Sequence, residues 1–128
     1  MPKSVVTTEN APAPFRGSPY SQAISTGELV FVSGQVGMAA GATEPSGTTI
    51  AEQTEQVFAN LAAILAAAGT GLDRLVKTTV FLADFDDFAG MNEVYARHVG
   101  SEPPARSTVE VSRLPSSVLV EIEAVALL

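Results

Sequence analysis

The spacing of apolar residues changes several times along this chain, and each change marks an element. Lys3 to Thr8 is a short β-prone run, and Asn10-Ala11-Pro12-Ala13-Pro14 is a loop broken by proline. Glu28-Leu29-Val30-Phe31-Val32-Ser33-Gly34 predicts the first clear strand. Gly, Ala, Pro and Ser dominate from Gly34 to Gly47, which predicts a continuation with turns. Thr49 followed by Glu52 has the spacing of a capping box, and Val57, Phe58, Leu61, Ile64, Leu65 and Ala68 then recur at helical spacing until Gly69. Asp73 to Leu82 returns to a period of two, with Val76, Val80 and Leu82 on one face and Leu75, Lys77, Thr79 and Phe81 on the other. The acidic turn Asp84-Phe85-Asp86-Asp87 suits a helix start, and Phe88, Met91, Tyr95 and Val99 form one stripe that ends near Gly100. Beyond Pro103-Pro104, Ser107 to Ser112 and Val118 to Leu127 predict two more strands, with Pro115-Ser116 as the turn between them.

That order, strand, strand, helix, strand, helix, strand, strand, belongs to the α+β class, with both helices covering one face of a single sheet. The chain has 128 residues and no break in composition, so residues 1–128 are expected to form one domain. In the last strand Val118, Val120, Ile122, Ala124 and Ala126 share one face, while Leu119, Val125 and Leu127 flank Glu121 and Glu123 on the other. Two apolar faces predict a strand covered twice, once by the helices and once at a subunit contact.

Charge narrows the partners. Fourteen acidic and seven basic residues give a net charge of −7, and the basic residues, from Lys3 to Arg113, form no cluster. Phosphate backbones and anionic membranes are therefore disfavoured, although one local arginine can still hold a small anion. There is no cysteine, so a disulfide framework and a thiol nucleophile are both excluded. The opening Met1-Pro2-Lys3 leads into Ser and Thr with no apolar signal core, and the longest apolar run, Leu61 to Ala68, has eight residues against the roughly 20 of a spanning helix. The default location is the cytoplasm.

Chemistry concentrates near the C-terminus. Arg106 follows Pro103-Pro104-Ala105, a stiff approach to a planar fork of donors that matches a carboxylate at two points. Glu121 stands in a strongly apolar strand, a costly place for a charge that nothing pairs with or uses. By pattern alone Arg106 reads more readily as an arginine tied to a nearby acid, and Glu121 equally as a solvated charge on an edge strand. Asn92 lies four residues after Phe88 and three before Tyr95, which puts an amide on the buried helix stripe. His98 suits a helix C-terminus, and with no cysteine it cannot build an ordinary zinc site. Asp84, Asp86 and Asp87 do not follow an EF-hand spacing, Gly34 to Gly41 lacks the lysine of a phosphate loop, and no Gly-x-Ser-x-Gly elbow occurs.

The run from Pro104 to Pro115, then Val120-Glu121-Ile122-Glu123-Ala124, closely resembles the C-terminal signature of the RidA (YjgF/YER057c/UK114) family. The resemblance continues, in family order, through Pro19-Tyr20-Ser21-Gln22-Ala23, Val32-Ser33-Gly34-Gln35, Leu75 to Leu82 and Asp87 to Asn92. It implies a chorismate-mutase-like fold with a mixed sheet, a barrel-like homotrimer, and ligand sites in the clefts between subunits. It implies hydrolysis of reactive 2-imino and 2-enamino acids to 2-keto acids and ammonia, with no cofactor. Arg106 matches the arginine that holds the substrate carboxylate, and Glu121 the glutamate that orients water, while Glu123 reads as a structural or rim charge. Tyr20, Ser33, Gly34, Asn92 and Thr108 match positions that line the site, although Tyr20 also suits a core aromatic and Ser33 a turn. Two departures stand out. Ser18 replaces the usual glycine before Pro19-Tyr20, with Gly17 displaced by one, and Thr108 stands where several relatives carry cysteine, which leaves only its backbone carbonyl to hold a water. RNA cleavage and a chaperone-like ligand-binding role are the rival readings.

Overall fold

In the computed structural model, which describes residues 2–128, the first long helix, α1 (Ile50–Ala68), is closed at both ends by local chemistry. Met1, with which the expected domain begins, lies outside the described residues. The Thr49 hydroxyl accepts from the Glu52 amide at 3.1 Å and the Glu52 carboxylate accepts from the Thr49 amide at 3.2 Å, so the capping box is complete. Gly69, at φ 93°, turns the chain out of the helix while its amide donates to the Leu65 and Ala66 carbonyls. The buried face carries Val57, Phe58, Leu61, Ile64 and Leu65, all fully excluded from solvent. Each such side chain contributes about 1.5–3 kcal/mol of burial. Asp84 to Asp87 form a single 3-10 turn, in which Asp84 accepts from the Asp86 amide at 2.8 Å, and α2 (Phe88–Val99) follows. His98, in the last turn of α2, ties the helices together by stacking on Phe58 at 4.6 Å and bonding Glu55 at 2.7 Å.

Six strands form one sheet: β1 (Ser4–Val6), β2 (Ala23–Ser25), β3 (Leu29–Val36), β4 (Leu75–Leu82), β5 (Ala105–Glu110) and β6 (Val120–Leu127). Their spatial order is β1-β2-β3-β6-β4-β5, antiparallel throughout except for the parallel β4–β5 pair. The sheet is thus mixed, and α1 and α2 lie on one face of it, as the element order predicts. The short β2 has no counterpart in the sequence pattern, because three residues are too few to show a period.

Two bulges decide which residues face the helices. Leu75 pairs with Ala126 and Lys77 with Val125, so Val76 is an extra residue in β4. Leu75 therefore joins the buried face with Thr78, Val80 and Leu82, and Val76 is left exposed, the reverse of the strict alternation expected. In β3, Val32 pairs with Ala124 and Gln35 with Ile122, which sets Ser33 and Gly34 together opposite Glu123. In β6 the expected alternation holds: Val120, Ile122, Ala124 and Ala126 lie in the core under the helices. The opposite face, with Phe31, Val109 and Leu127 exposed beside Glu121 and Glu123, is not covered by any helix among the described residues.

The Tyr95 hydroxyl shares a 2.6 Å hydrogen bond with the buried Thr78 hydroxyl, the polar seam between α2 and β4. Tyr95→Phe strands that threonine hydroxyl, and unfolding in urea should show a loss of about 1–3 kcal/mol. Adding Thr78→Val should restore part of it. A single variant as stable as the parent would show that Thr78 finds another partner.

Candidate active site

Glu121 belongs to β6, an interior strand of the sheet and not an edge. It pairs with Val36 on β3 and Phe81 on β4, on the face away from the helices. Burial, with a smaller push from the like charge of Glu123, raises its pKa above the ordinary 4.5. The β3 bulge shapes the wall beside it. The Ser33 hydroxyl donates to the Ser21 carbonyl at 2.6 Å and its amide to the Gln22 carbonyl at 2.9 Å, so Ser33 is pinned inside a bulged strand and is not a turn residue. Gly34 lets β3 come close to Glu121: a Cβ there would force the carboxylate to move. Tyr20 is 44% exposed, not a core aromatic, and its hydroxyl accepts from the Phe15 amide at 2.6 Å. Ser18 has φ −62°, open to any residue, while the left-handed position falls on Gly17 at φ 66°. The displaced glycine thus serves the turn that leads into Tyr20. A cavity of about 400 Å³ results, lined by Phe15, Tyr20, Gly34, Met38, Ser116 and Glu121 among others.

Arg106 lies elsewhere. Edge strand β5 sets it opposite Thr78, on the helix side of the sheet. Its guanidinium carbon sits 4.7 Å from the centre of the Tyr95 ring and 5.5 Å from that of Phe88. Ring faces attract a cation without using its hydrogen-bond donors. The ion pairs among the described residues join Arg97 and His98 to Glu55 and leave Arg106 without an acid. Asn92 is half-buried on α2 and lines, with Tyr95, Val99, Pro104 and Arg106, a hollow of about 360 Å³. Thr108 stands two residues on, on the same face, with its hydroxyl buried and unpartnered among the described residues.

The candidate residues therefore fall into two half-sites. Tyr20, Ser33, Gly34 and Glu121 gather on the open face, and Asn92, Arg106 and Thr108 on the helix face. One chain does not bring Arg106 and Glu121 together. Three contributors escaped the sequence pattern. Tyr95 reads as core from its stripe, and only its position under Arg106 gives it a second role. Phe15 sits in a proline-rich loop, where an aromatic outside any apolar period was the available signal. Gln22 is buried and donates to the carbonyls of Thr8, Ala11 and Pro12 while accepting from the Thr8 amide, which holds the loop before Tyr20 in place.

Known proteins match this arrangement along almost its whole length. The model of the family described as Endoribonuclease L-PSP matches residues 8–128. A RutC family protein of Pyrococcus horikoshii is 52% identical over 124 residues, covering 97% of each chain. The Arabidopsis thaliana protein named Reactive Intermediate Deaminase A, chloroplastic, is 44% identical over 126 residues, 98% of this chain and 66% of that one. The solved structure of E. coli TdcF with bound serine superposes with a TM-score of 0.89 at 36% identity, covering 98% of both chains. By sequence and by fold together, the chain belongs to the RidA family, whose members carry the RutC, UK114 and reactive intermediate deaminase names.

Proposed function

We propose that this protein hydrolyses reactive 2-imino and 2-enamino acids to 2-keto acids and ammonia, at a site completed between the subunits of a homotrimer. The observation that carries the proposal is the pairing of an arginine with no acid partner and a half-buried carboxylate of raised pKa, set on opposite faces of one sheet. A two-fold axis would have to turn both faces toward itself. A head-to-tail contact instead brings the Arg106 face of one copy against the Glu121 face of the next, and such contacts close into rings. The uncovered apolar face, with Phe31 and Val109, suits burial in that contact. The name of the Arabidopsis relative agrees with a deaminase, and the serine bound to the E. coli relative with a ligand that carries an amino-acid carboxylate.

In this mechanism Arg106 takes the substrate carboxylate at two points and so sets the imine carbon at a fixed place. Tyr95 and Phe88 hold the guanidinium from the side without consuming its donors. Glu121, helped by the Thr108 carbonyl across the subunit boundary, orients a water. Its oxygen bonds to C2 as the carbon–nitrogen π pair moves to nitrogen, and the water proton passes to Glu121. That proton returns from the Glu121 carboxyl to the nitrogen to give the neutral carbinolamine; its hydroxyl proton then passes through the same carboxylate to the nitrogen, the carbon–nitrogen bond breaks, and ammonia leaves as the ketone forms. No cofactor takes part. A pKa lifted by burial makes Glu121 a better proton acceptor than an exposed glutamate. We place this work in the cytoplasm; no helix of the described residues is long and apolar enough to cross a membrane. RNA cleavage, which the family description suggests, has no cluster of basic residues to support it in a chain of net charge −7.

Glu121→Gln should reduce imine turnover about a hundredfold or more, while calorimetry still detects 2-keto acids bound through Arg106. Turnover at the parent rate would remove Glu121 from the mechanism. Shared sites also predict complementation. Arg106→Ala and Glu121→Gln proteins, each inactive, should regain about a quarter of parental activity when unfolded and reassembled together, since every mixed ring contains one site with both groups intact. No recovery from verified mixed trimers would show that each site lies within one chain. The acid limb of kcat/KM should rise with pH around a midpoint above 4.5, because the carboxylate is the active form. Glu123→Gln removes the smaller of the two causes and should move that midpoint down but not back to the ordinary value. An unchanged profile would mean that another group sets the limb.

A further inference from the structure

Resting on the deaminase reading, we propose that a mainly apolar chamber beside Glu121 receives the substrate's side chain, so that the preferred substrates are 2-imino acids with large apolar side chains and not those with a methyl or an acidic one. The cavity that holds the Glu121 carboxylate adjoins a second of about 520 Å³, and Phe15, Tyr20, Gly34, Val36, Met38 and Ser116 line both. Beyond those shared residues its walls are the Pro12–Arg16 loop, Gln35 and the segment from Ala39 to Thr43, with Arg16 the one charged residue among the described lining.

Geometry directs the side chain there. The imine carbon is planar, with carboxylate, nitrogen and side chain spread in one plane and water arriving across it. A carboxylate held by Arg106 from the neighbouring subunit and a water held by Glu121 leave the side chain to exit in the plane, and the chamber is the mainly apolar room that shares six lining residues with the Glu121 cavity. Phe15 supports this assignment: it is 41% exposed, outside the core, and covered on one side by the Arg16 guanidinium at 4.9 Å. The backbone supports it independently. Arg16 and Ser116, both non-glycine residues at φ 54°, line the same chamber. Left-handed backbone at such residues is costly and collects at ligand sites, where surrounding structure holds it. An acidic side chain would instead meet Glu121 and Glu123 across the shared wall, with only a rim arginine to offset them.

Each methylene buried is worth about fourfold in kcat/KM. Imines made in place from L-leucine, L-alanine and L-glutamate by an amino-acid oxidase, scored by competition with semicarbazide, give the discriminating ratios. The leucine-derived imine should be favoured at least about tenfold over the alanine-derived one, and the glutamate-derived imine should be the poorest. Phe15→Ala, an exposed change with little risk to folding, should cut the leucine-to-alanine ratio about fivefold. Calorimetry with 4-methyl-2-oxopentanoate and pyruvate supplies a second reading, in which the larger keto acid binds more tightly to the parent and loses that advantage in Phe15→Ala. Hydrolysis of all three imines with a leucine-to-alanine ratio of one or below, or a ratio unmoved by Phe15→Ala, overturns the chamber and leaves the deaminase reading standing. Keto acids bound in the expected order with no imine hydrolysed would overturn the catalytic reading and keep the chamber. Failure of both measurements overturns both.

Discussion

Burial of one face of β6 under α1 is the constraint from which the rest of the structure follows. Val120, Ile122, Ala124 and Ala126 enter the core at every second position, and slipping the strand by a single residue would replace them with Glu121, Glu123, Val125 and Leu127. Two carboxylates under a layer of helix would then lack partners, which makes that register far too costly. The strand is therefore locked between β3 and β4, and the same lock drives Glu121 to the open face at fixed height. Its raised pKa comes from the half-burial this position enforces and, to a smaller degree, from Glu123 two residues on.

The surroundings of Glu121 are built by departures from regularity. A uniform β3 would carry a side chain where Gly34 stands, and the carboxylate would have to move. The bulge at Ser33 and Gly34 sits opposite Glu123 and is held by hydrogen bonds to Ser21 and Gln22. Gln22 in turn fixes the loop before it through three carbonyls. Together with the left-handed residues Arg16 and Ser116, these features put backbone strain and buried polar contacts around one cavity, while the remaining strands pair regularly apart from the Val76 bulge.

Arg106 is held by a different device. Parallel pairing of β5 with β4 turns it toward the helices, and α2 presents Tyr95 and Phe88 beneath it. Tyr95 spends its hydroxyl on Thr78 and its ring face on the arginine, so a single residue serves the core and the functional surface at once. An arginine held by ring faces keeps its fork of donors free, and it stands on the face of the sheet opposite to that of Glu121.

Local sequence determined a good deal by itself. The capping box at Thr49 and Glu52, the glycine that ends α1, the apolar stripe of α2 and the alternation in β6 are contacts between near neighbours, and their spacing is visible in one dimension. The ordered motifs around Arg106 and Glu121 were equally legible, because a family resemblance is carried by residue identity. The bulge that exposes Val76 and buries Leu75, the short β2, and the roles of Phe15, Gln22 and Tyr95 were not, since each depends on partners far along the chain. Above all, Arg106 and Glu121 stand fifteen residues apart in sequence yet on opposite faces of the sheet. Only the tertiary structure decides that, because the face a residue takes is set by which strands pair and in what register, a long-range choice made by burial of the core.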